Sequence, residues 1–259
     1  MKTAAYTTKL AAGSGIIEES RVLLELWEDG LGPSDLFQAA LQSGRFPTMS
    51  ARRLRNLVVE GFAPRYLADG GRRARLLKQM NGALASRELD QLMFVFTCRA
   101  NEILADFVRE VYWPAYSAGR TTISNEEARQ FITRANQEGK TETPWSDSMV
   151  ERVAGYMTRA LADFGMLQPG IKRSRQILPY RLEPRAAAAV AYDLHFQGLA
   201  DNRIIQHPDW ELFGLEPADV LVELKRLSRK GLFVIQHAAD VTRISWSFDT
   251  TEELAHALA

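Results

Sequence analysis

Residues 124–184 read SNEEARQFITRANQEGKTETPWSDSMVERVAGYMTRALADFGMLQPGIKRSRQILPYRLEP, and this stretch decides the fold class. Ser124 and Asn125 open a helix, and Glu127 stands where a capping-box partner for Ser124 belongs. A polar connector with Pro144 leads to a second helix, WSDSMVERVAGYMTRALADFG, which ends at Gly165. Pro169–Gly170 then marks the turn of a short two-strand hairpin. Helix, helix, basic hairpin is winged-helix order. The second helix carries Ser146, Ser148 and Arg152 near its start, and the wing carries Lys172, Arg173 and Arg175.

The same order recurs toward the C-terminus. A helix from Pro184 through Leu199 precedes an acid-flanked loop and a short helix around Trp210–Phe213. PADVLVELKRLSRKG then reads as a helix, bearing Lys225, Arg226, Arg229 and Lys230. LFVIQHAADVTRISWSF alternates apolar and polar residues around an Ala-Ala-Asp turn, the pattern of a β-hairpin. The two stretches share an architecture, not a repeated sequence.

Toward the N-terminus, Ser14 and Gly15 precede a helix through Ile17, Val22, Leu23 and Leu26, stopped at Gly30. Pro33 opens a second helix, closed by Gly44. A third starts at the Thr48/Ser50 cap and runs to Pro64, placing Arg52, Arg53 and Arg55 on one face of its first turns. A helix, a tight turn and a basic helix form a helix-turn-helix layout. Residues 72–85 read as another basic helix, with Arg72, Arg73, Arg75 and Lys78. A long apolar helix from Glu88 to about Tyr116 follows, with Pro114 near its end, and is expected at the centre of the core. The sum is a mainly α, compact helical protein with helix-turn-helix and winged-helix-like units and two small β-hairpins. Its expected parts are 1–118, 119–185 and 186–259.

Composition is that of a soluble globular chain, 46% hydrophobic and 25% charged. Cys98 is the single cysteine, so neither an intramolecular disulfide nor a thiolate zinc site is available, and its apolar neighbours make it a buried small hydrophobe. No secretory signal and no apolar run of about 18 residues is present. The expected location is the cytoplasm.

Formal net charge is zero, yet the charge is unevenly spread. Residues 45–87 hold ten Lys/Arg against two Asp/Glu, and 172–185 hold five against one, while 186–222 has one basic residue against six acidic. Local basic stripes on a neutral chain suit a polyanion without general adhesion.

Several signals for chemistry fail on context. Gly139-Lys140-Thr141 follows a helix and has Arg134 where a P-loop needs glycine. Gly13-Ser14-Gly15 has Glu18 in the third glycine slot and no preceding strand. Pro208-Asp209 with Glu223-Leu224-Lys225 matches a nuclease carboxylate–lysine pattern in letters, but helical spacing makes Glu223 and Lys225 diverge. His195, His207, His237 and His256 lack metal-ligand spacing. Trp145 and Trp210 are expected in the core rather than stacked on bases. The reading is therefore no enzyme, no metal, no cofactor and no small-molecule substrate. The candidate DNA contacts are the three stripes named above, since guanidinium groups and hydroxyls suit phosphate oxygens and base edges.

Six segments carry a family resemblance. They are YTTKLAAGSGIIEESRVLLELW (6–27), SGRFPTMSARRLRNLVVEGFAPRYL (43–67), TCRANEILADFVREVYWPAYSAG (97–119), PWSDSMVERVAGYMTRALADFGML (144–167), ILPYRLEPRAAAAVAYDLHFQGLADN (177–202) and HPDWELFGLEPADVLVELKRL (207–227). They resemble the BrxA family, an accessory component of BREX bacteriophage-defence systems, from about Tyr6 to Leu254. The resemblance implies a non-catalytic protein encoded beside a methyltransferase, a large ATPase and a phosphatase-like component, and associated with double-stranded DNA. A distant NusB-like similarity suggested for the family would make RNA a ligand instead. No catalytic residues are implied.

The leading expectation is a phosphate-gripping, double-stranded DNA-binding accessory factor with steep salt dependence. The alternatives are an adaptor bridging other BREX components, motivated by the acidic, apolar-rich 193–219 region, and an RNA-binding factor.

Overall fold

Helix starts in this chain are written in its side chains, and the computed structural model, which describes residues 6–141, 143–170, 173–238 and 241–259, follows them closely. The first helices are α1 (Ile17–Leu26) and α2 (Pro33–Gln42), the latter with proline in its first turn. Ser50 accepts the Arg53 N–H to cap α3 (Ala51–Asn56). Residues 43–50 join α2 to α3, a longer connection than the three- or four-residue turn of a helix-turn-helix.

Pro64 does not stop this helix. The chain widens into a π-turn over Leu57–Phe62, where the Ala63 N–H reaches back five residues to the Val58 carbonyl, and continues as α4 (Ala63–Tyr66). A proline has no N–H to donate and its ring crowds the carbonyl four residues back; the wider turn absorbs both faults. After α5 (Arg72–Met80) comes α6 (Ser86–Ala100). The expected long central helix breaks at Asn101, which is buried, has φ −138°, and donates its Nδ2 to the Thr97 carbonyl at 2.8 Å. A side chain bonding its own backbone competes with the helix ladder.

Beyond the break, α7 (Glu102–Phe107) leads through a second π-turn, Val108–Tyr112, into α8 (Trp113–Ser117). Here the Trp113 N–H reaches the Val108 carbonyl, again five residues back and again just before a proline, Pro114. The two segments align as Val58, Glu60, Phe62, Pro64, Tyr66 against Val108, Glu110, Tyr112, Pro114, Tyr116. In each the aromatic pair meets across one turn, at 4.9 Å for Phe62–Tyr66 and 6.1 Å for Tyr112–Tyr116.

Strand β1 (Thr122–Ser124) precedes α9 (Asn125–Gln137) and α10 (Asp147–Asp163). The expected capping box starts α9: Ser124 Oγ accepts the Glu127 N–H at 3.2 Å, and Glu127 accepts the Ser124 N–H at 2.9 Å. Strand β2 (Ser174–Gln176) pairs antiparallel with β1, Ile123 opposite Arg175. Its expected hairpin partner contributes only a bridge, Leu167 to Ile177, with the Gln168 N–H donating to the Gln176 carbonyl at 2.8 Å. Strand β2 is therefore central, flanked by β1 and residue 167.

The C-terminal elements are α11 (Pro184–Phe196), α12 (Asp201–Ile205), a 3₁₀ turn at Trp210–Phe213, α13 (Pro217–Ser228), the hairpin β3 (Phe233–Ala238) and β4 (Val241–Trp246), and α14 (Thr251–Leu258). Residues 239 and 240 of the expected hairpin turn lie outside the described residues, as does Lys172. Helices dominate, beside two small antiparallel sheets.

The chain packs as two units that interleave along the sequence, Met1–Ala74 with Phe96–Tyr180, and Arg75–Val95 with Arg181–Ala259. The first buries Leu23, Val58, Phe62, Tyr66, Phe107, Tyr112, Ile123 and Met157. In the second, α11 is buried along nearly its whole length, and Phe94 meets Phe213 edge-on at 5.9 Å. Arg185 stitches it, reaching Glu88 at 2.9 Å and the Ala83 and Leu258 carbonyls at 3.1 and 2.8 Å.

Candidate nucleic-acid interface

Helix α10 buries Val150, Val153, Ala154, Met157 and Leu161, which turns Ser148, Arg152 and Arg159 to solvent on the opposite side. Arg152 folds back, its Nε donating to the Ser148 carbonyl at 3.3 Å. Ser146 precedes the helix, but its hydroxyl lies 3.1 Å from that of Ser148 and caps no backbone N–H. The Met149 and Val150 N–H groups go to the Ser146 carbonyl, both at 2.9 Å, and Asp147 stands in the first turn, so only the Asp147 and Ser148 N–H groups are left without a side-chain cap.

Arg159 was missed in reading the sequence, although its spacing of seven from Arg152 puts it on the same face. It stands close enough to Arg175 to oppose that residue's charge, after burial itself, so the Arg175 pKa falls below the usual arginine value. Arg175 is 6% exposed and its Nη1 donates to the Gln168 carbonyl at 3.1 Å. It is a brace across the small sheet, not a free wing residue. Strand alternation turns it inward while Ser174 and Gln176 face out. Arg173 remains exposed on the loop.

The far end of α10 is anchored to the N-terminal loop. Asp163 accepts the Gly15 N–H at 2.8 Å, while Arg65, 1% exposed, donates to the Gly15 carbonyl at 3.0 Å and the Gly13 carbonyl at 2.6 Å. Burial holds the Arg65 pKa below, and the Asp163 pKa above, their usual values. A Cβ on Gly15 would meet Asp163 at 2.5 Å, so Gly13-Ser14-Gly15 is a packing loop that fixes where α10 ends.

On α3 the side chains of Arg52, Arg53 and Arg55 are exposed and make no bond with described residues. They fan over the solvent half of the helix, with Leu54 anchoring the other half. Arg72 and Arg73 are engaged locally. Both pair with Asp69, at 3.1 and 3.2 Å, and Arg73 also donates to the Arg65 carbonyl and lies 5.7 Å over Phe96. Arg75 is half-buried and Lys78 exposed, and each has a partner within the protein.

Lys225 on α13 and Arg229 and Lys230 just past its end are exposed, while Arg226 pairs with Glu223 at 3.2 Å. Both Glu223 and Lys225 lie within α13, so they diverge around the helix. Glu216 and Asp219 form a capping box that fills the N-terminus of α13 with negative charge. The acids of 193–219 are consumed likewise. Asp193 and Asp209 are buried, and Asp201 accepts the Ile244 N–H at 2.9 Å. Trp210 is buried, donating to the Ile204 carbonyl at 2.7 Å, and Trp145 is half-buried. Lys140 pairs with Glu110 and Glu138. Among the described residues no cluster of His, Cys, Asp and Glu is placed to hold a metal ion, and no helix is long and apolar enough to cross a membrane.

Comparison with known proteins agrees with this architecture. A crystal structure of an uncharacterized protein from Magnetospirillum magneticum superposes with a TM-score of 0.57 at 17% identity, over 78% of this chain and 97% of that one, a likeness of fold. No curated protein matches. The BrxA family model matches residues 4–192, and the chain belongs to the BrxA family, which makes it a BREX-associated protein.

Proposed function

We propose that this chain is a non-enzymatic double-stranded DNA-binding accessory protein of its BREX system. The observation that carries the reading is the outward face of α10, where Ser148, Arg152 and Arg159 stand in line beside the exposed Arg173. The order of elements from α7 to β2, helix, strand, two helices and two paired segments, is that of a winged helix, in which the last helix enters a major groove. The three arginines suit phosphate oxygens, and the Ser148 hydroxyl adds a neutral donor. Arg52, Arg53 and Arg55 supply a second patch on the same unit. Non-enzymatic action accords with a family not known for catalysis.

Anisotropy of a labelled duplex under salt titration, with matched RNA as competitor, tests this. Binding should weaken steeply with salt. Arg152→Ala/Arg159→Ala/Arg173→Ala should flatten the slope by about 0.9 for each lost phosphate contact, across all sequences. The Arg52/Arg53/Arg55 triple alanine variant measures the second patch. Absence of duplex binding near physiological salt, or RNA competing better than duplex, would overturn the reading.

A further inference from the structure

A cavity of about 540 Å³ opens in the first unit, lined by the loop that joins α1 to α2, the Leu57–Tyr66 helix and the turn before α5. That volume lies within the range of small-molecule sites. Trp27 lines it and is 2% exposed. Its indole N–H is already given to the Leu31 carbonyl at 3.1 Å, so what the ring adds to the cavity is apolar surface. Gly71 lies against the carbocyclic edge of that indole. A Cβ there would meet Trp27 Cζ2 at 2.6 Å, and its φ of +79° calls for glycine as well. Gly30 and Gly70 also take positive φ, and a Cβ at either would meet nothing within 4 Å. Both border open space and leave the cavity free of side chains where they line it.

The Leu57–Tyr66 helix supplies Val59, Ala63 and Pro64. In a regular α-helix residues five apart stand about 140° from each other around the axis. The π-turn winds more slowly, and it brings Val59 and Pro64 to one cavity. Leu31, Val59, Pro64 and Leu67 are only half-buried, so the lining keeps apolar surface uncovered. Lys9 is the charged member of the lining. It is exposed, and its ammonium neither bonds nor pairs with a described residue.

We propose that this cavity binds a small organic acid, a ring-sized apolar body carrying one anionic group. The body packs on Trp27, Val59 and Pro64, and the anion pairs with Lys9. Mostly apolar walls with a single orienting charge are the usual make-up of such sites. None of these residues belongs to the α10 face, and the proposal does not rest on the DNA reading.

The probe is 8-anilinonaphthalene-1-sulfonate, with N-phenyl-1-naphthylamine, the same body without its sulfonate, as control. Fluorescence titration of the full chain at low salt should show saturable binding, with the sulfonate held about threefold to fivefold tighter than the control. Lys9→Ala should abolish that preference and leave the control unchanged. Ala68→Trp, at an exposed lining position, should fill the cavity and weaken both probes about tenfold or more, with circular dichroism verifying the fold. A wild type without saturable binding, equal affinity for the two probes, a sulfonate preference that survives Lys9→Ala, or binding indifferent to Ala68→Trp would each overturn the proposal.

Discussion

The stretch from α7 to β2 and the stretch from α11 to β4 build the same order of elements by different means. In the first, a strand of three residues, β1, lies along the outer side of β2 and supplies backbone partners. The second has no such strand, and Asp201 and Asn202 supply side-chain acceptors to β4 instead. Their exposed helix faces differ too. Helix α10 has Asp147 in its first turn but no side-chain cap and shows arginines, whereas α13 closes its start with a Glu216–Asp219 capping box and shows Val222, 69% exposed, among its cations. One order of elements can therefore serve two different surfaces.

The comparison can be broken most sharply at the side-chain acceptors. Asp201→Ala/Asn202→Ala leaves two N–H groups of nearly buried residues without partners, and should cost about 3–5 kcal/mol of stability by denaturant titration. A loss below about 1 kcal/mol would mean water replaces them and the analogy with β1 fails. Ile123→Ala tests β1 itself. Ile123 is fully buried, so the variant should lose about 2–4 kcal/mol, read as a lower midpoint with an unchanged m-value.

The smallest effect expected comes from Glu127→Gln. Gln keeps the capping geometry but loses the pair with Arg120 at 2.6 Å. Desolvation alone would raise the Glu127 pKa; the bonds from Arg120 and Ser124 outweigh it and hold the carboxyl below its ordinary 4.5. A depressed acid stabilises the fold above its unfolded pKa, and that share is lost as pH falls through the folded value. The variant should therefore be about 0.5–1 kcal/mol less stable near neutral pH, with the gap closing in acid as the carboxyl is protonated. Thermal midpoints at the two pH values measure it, and a gap that widens in acid would reverse the assignment.

Much of the helical layout was legible because its signals are local. Ser124 with Glu127, Ser50 and Pro33 mark helix starts by chemistry confined to one turn. The β3–β4 hairpin was legible from alternation over enough residues to be unambiguous. Strand β1 was not, because three residues carry no period and its partner lies some fifty positions away. Arg175 misled for a related reason: in a strand, one position decides between solvent and core, and charge alone suggested solvent. The π-turns were hidden because proline ordinarily ends a helix. Only the parallel between Val58–Tyr66 and Val108–Tyr116 signals an alternative, and it becomes visible once both are seen to continue. At the candidate site, Arg152 and Arg173 were found by composition, while Arg159 needed the helix face to be drawn.

The interleaving of the two units has a consequence for synthesis. Residues Met1–Ala74 leave the ribosome first, but the segment that completes their core ends only at Tyr180, after Arg75–Val95 has emerged and still lacks everything from Arg181 onward. The nascent chain must carry Arg75–Val95 without its complement while the earlier unit folds. A chain stopped at Tyr180 would hold all of the first unit yet carry Arg75–Val95 stranded without Arg181–Ala259, an exposed segment open to misassembly.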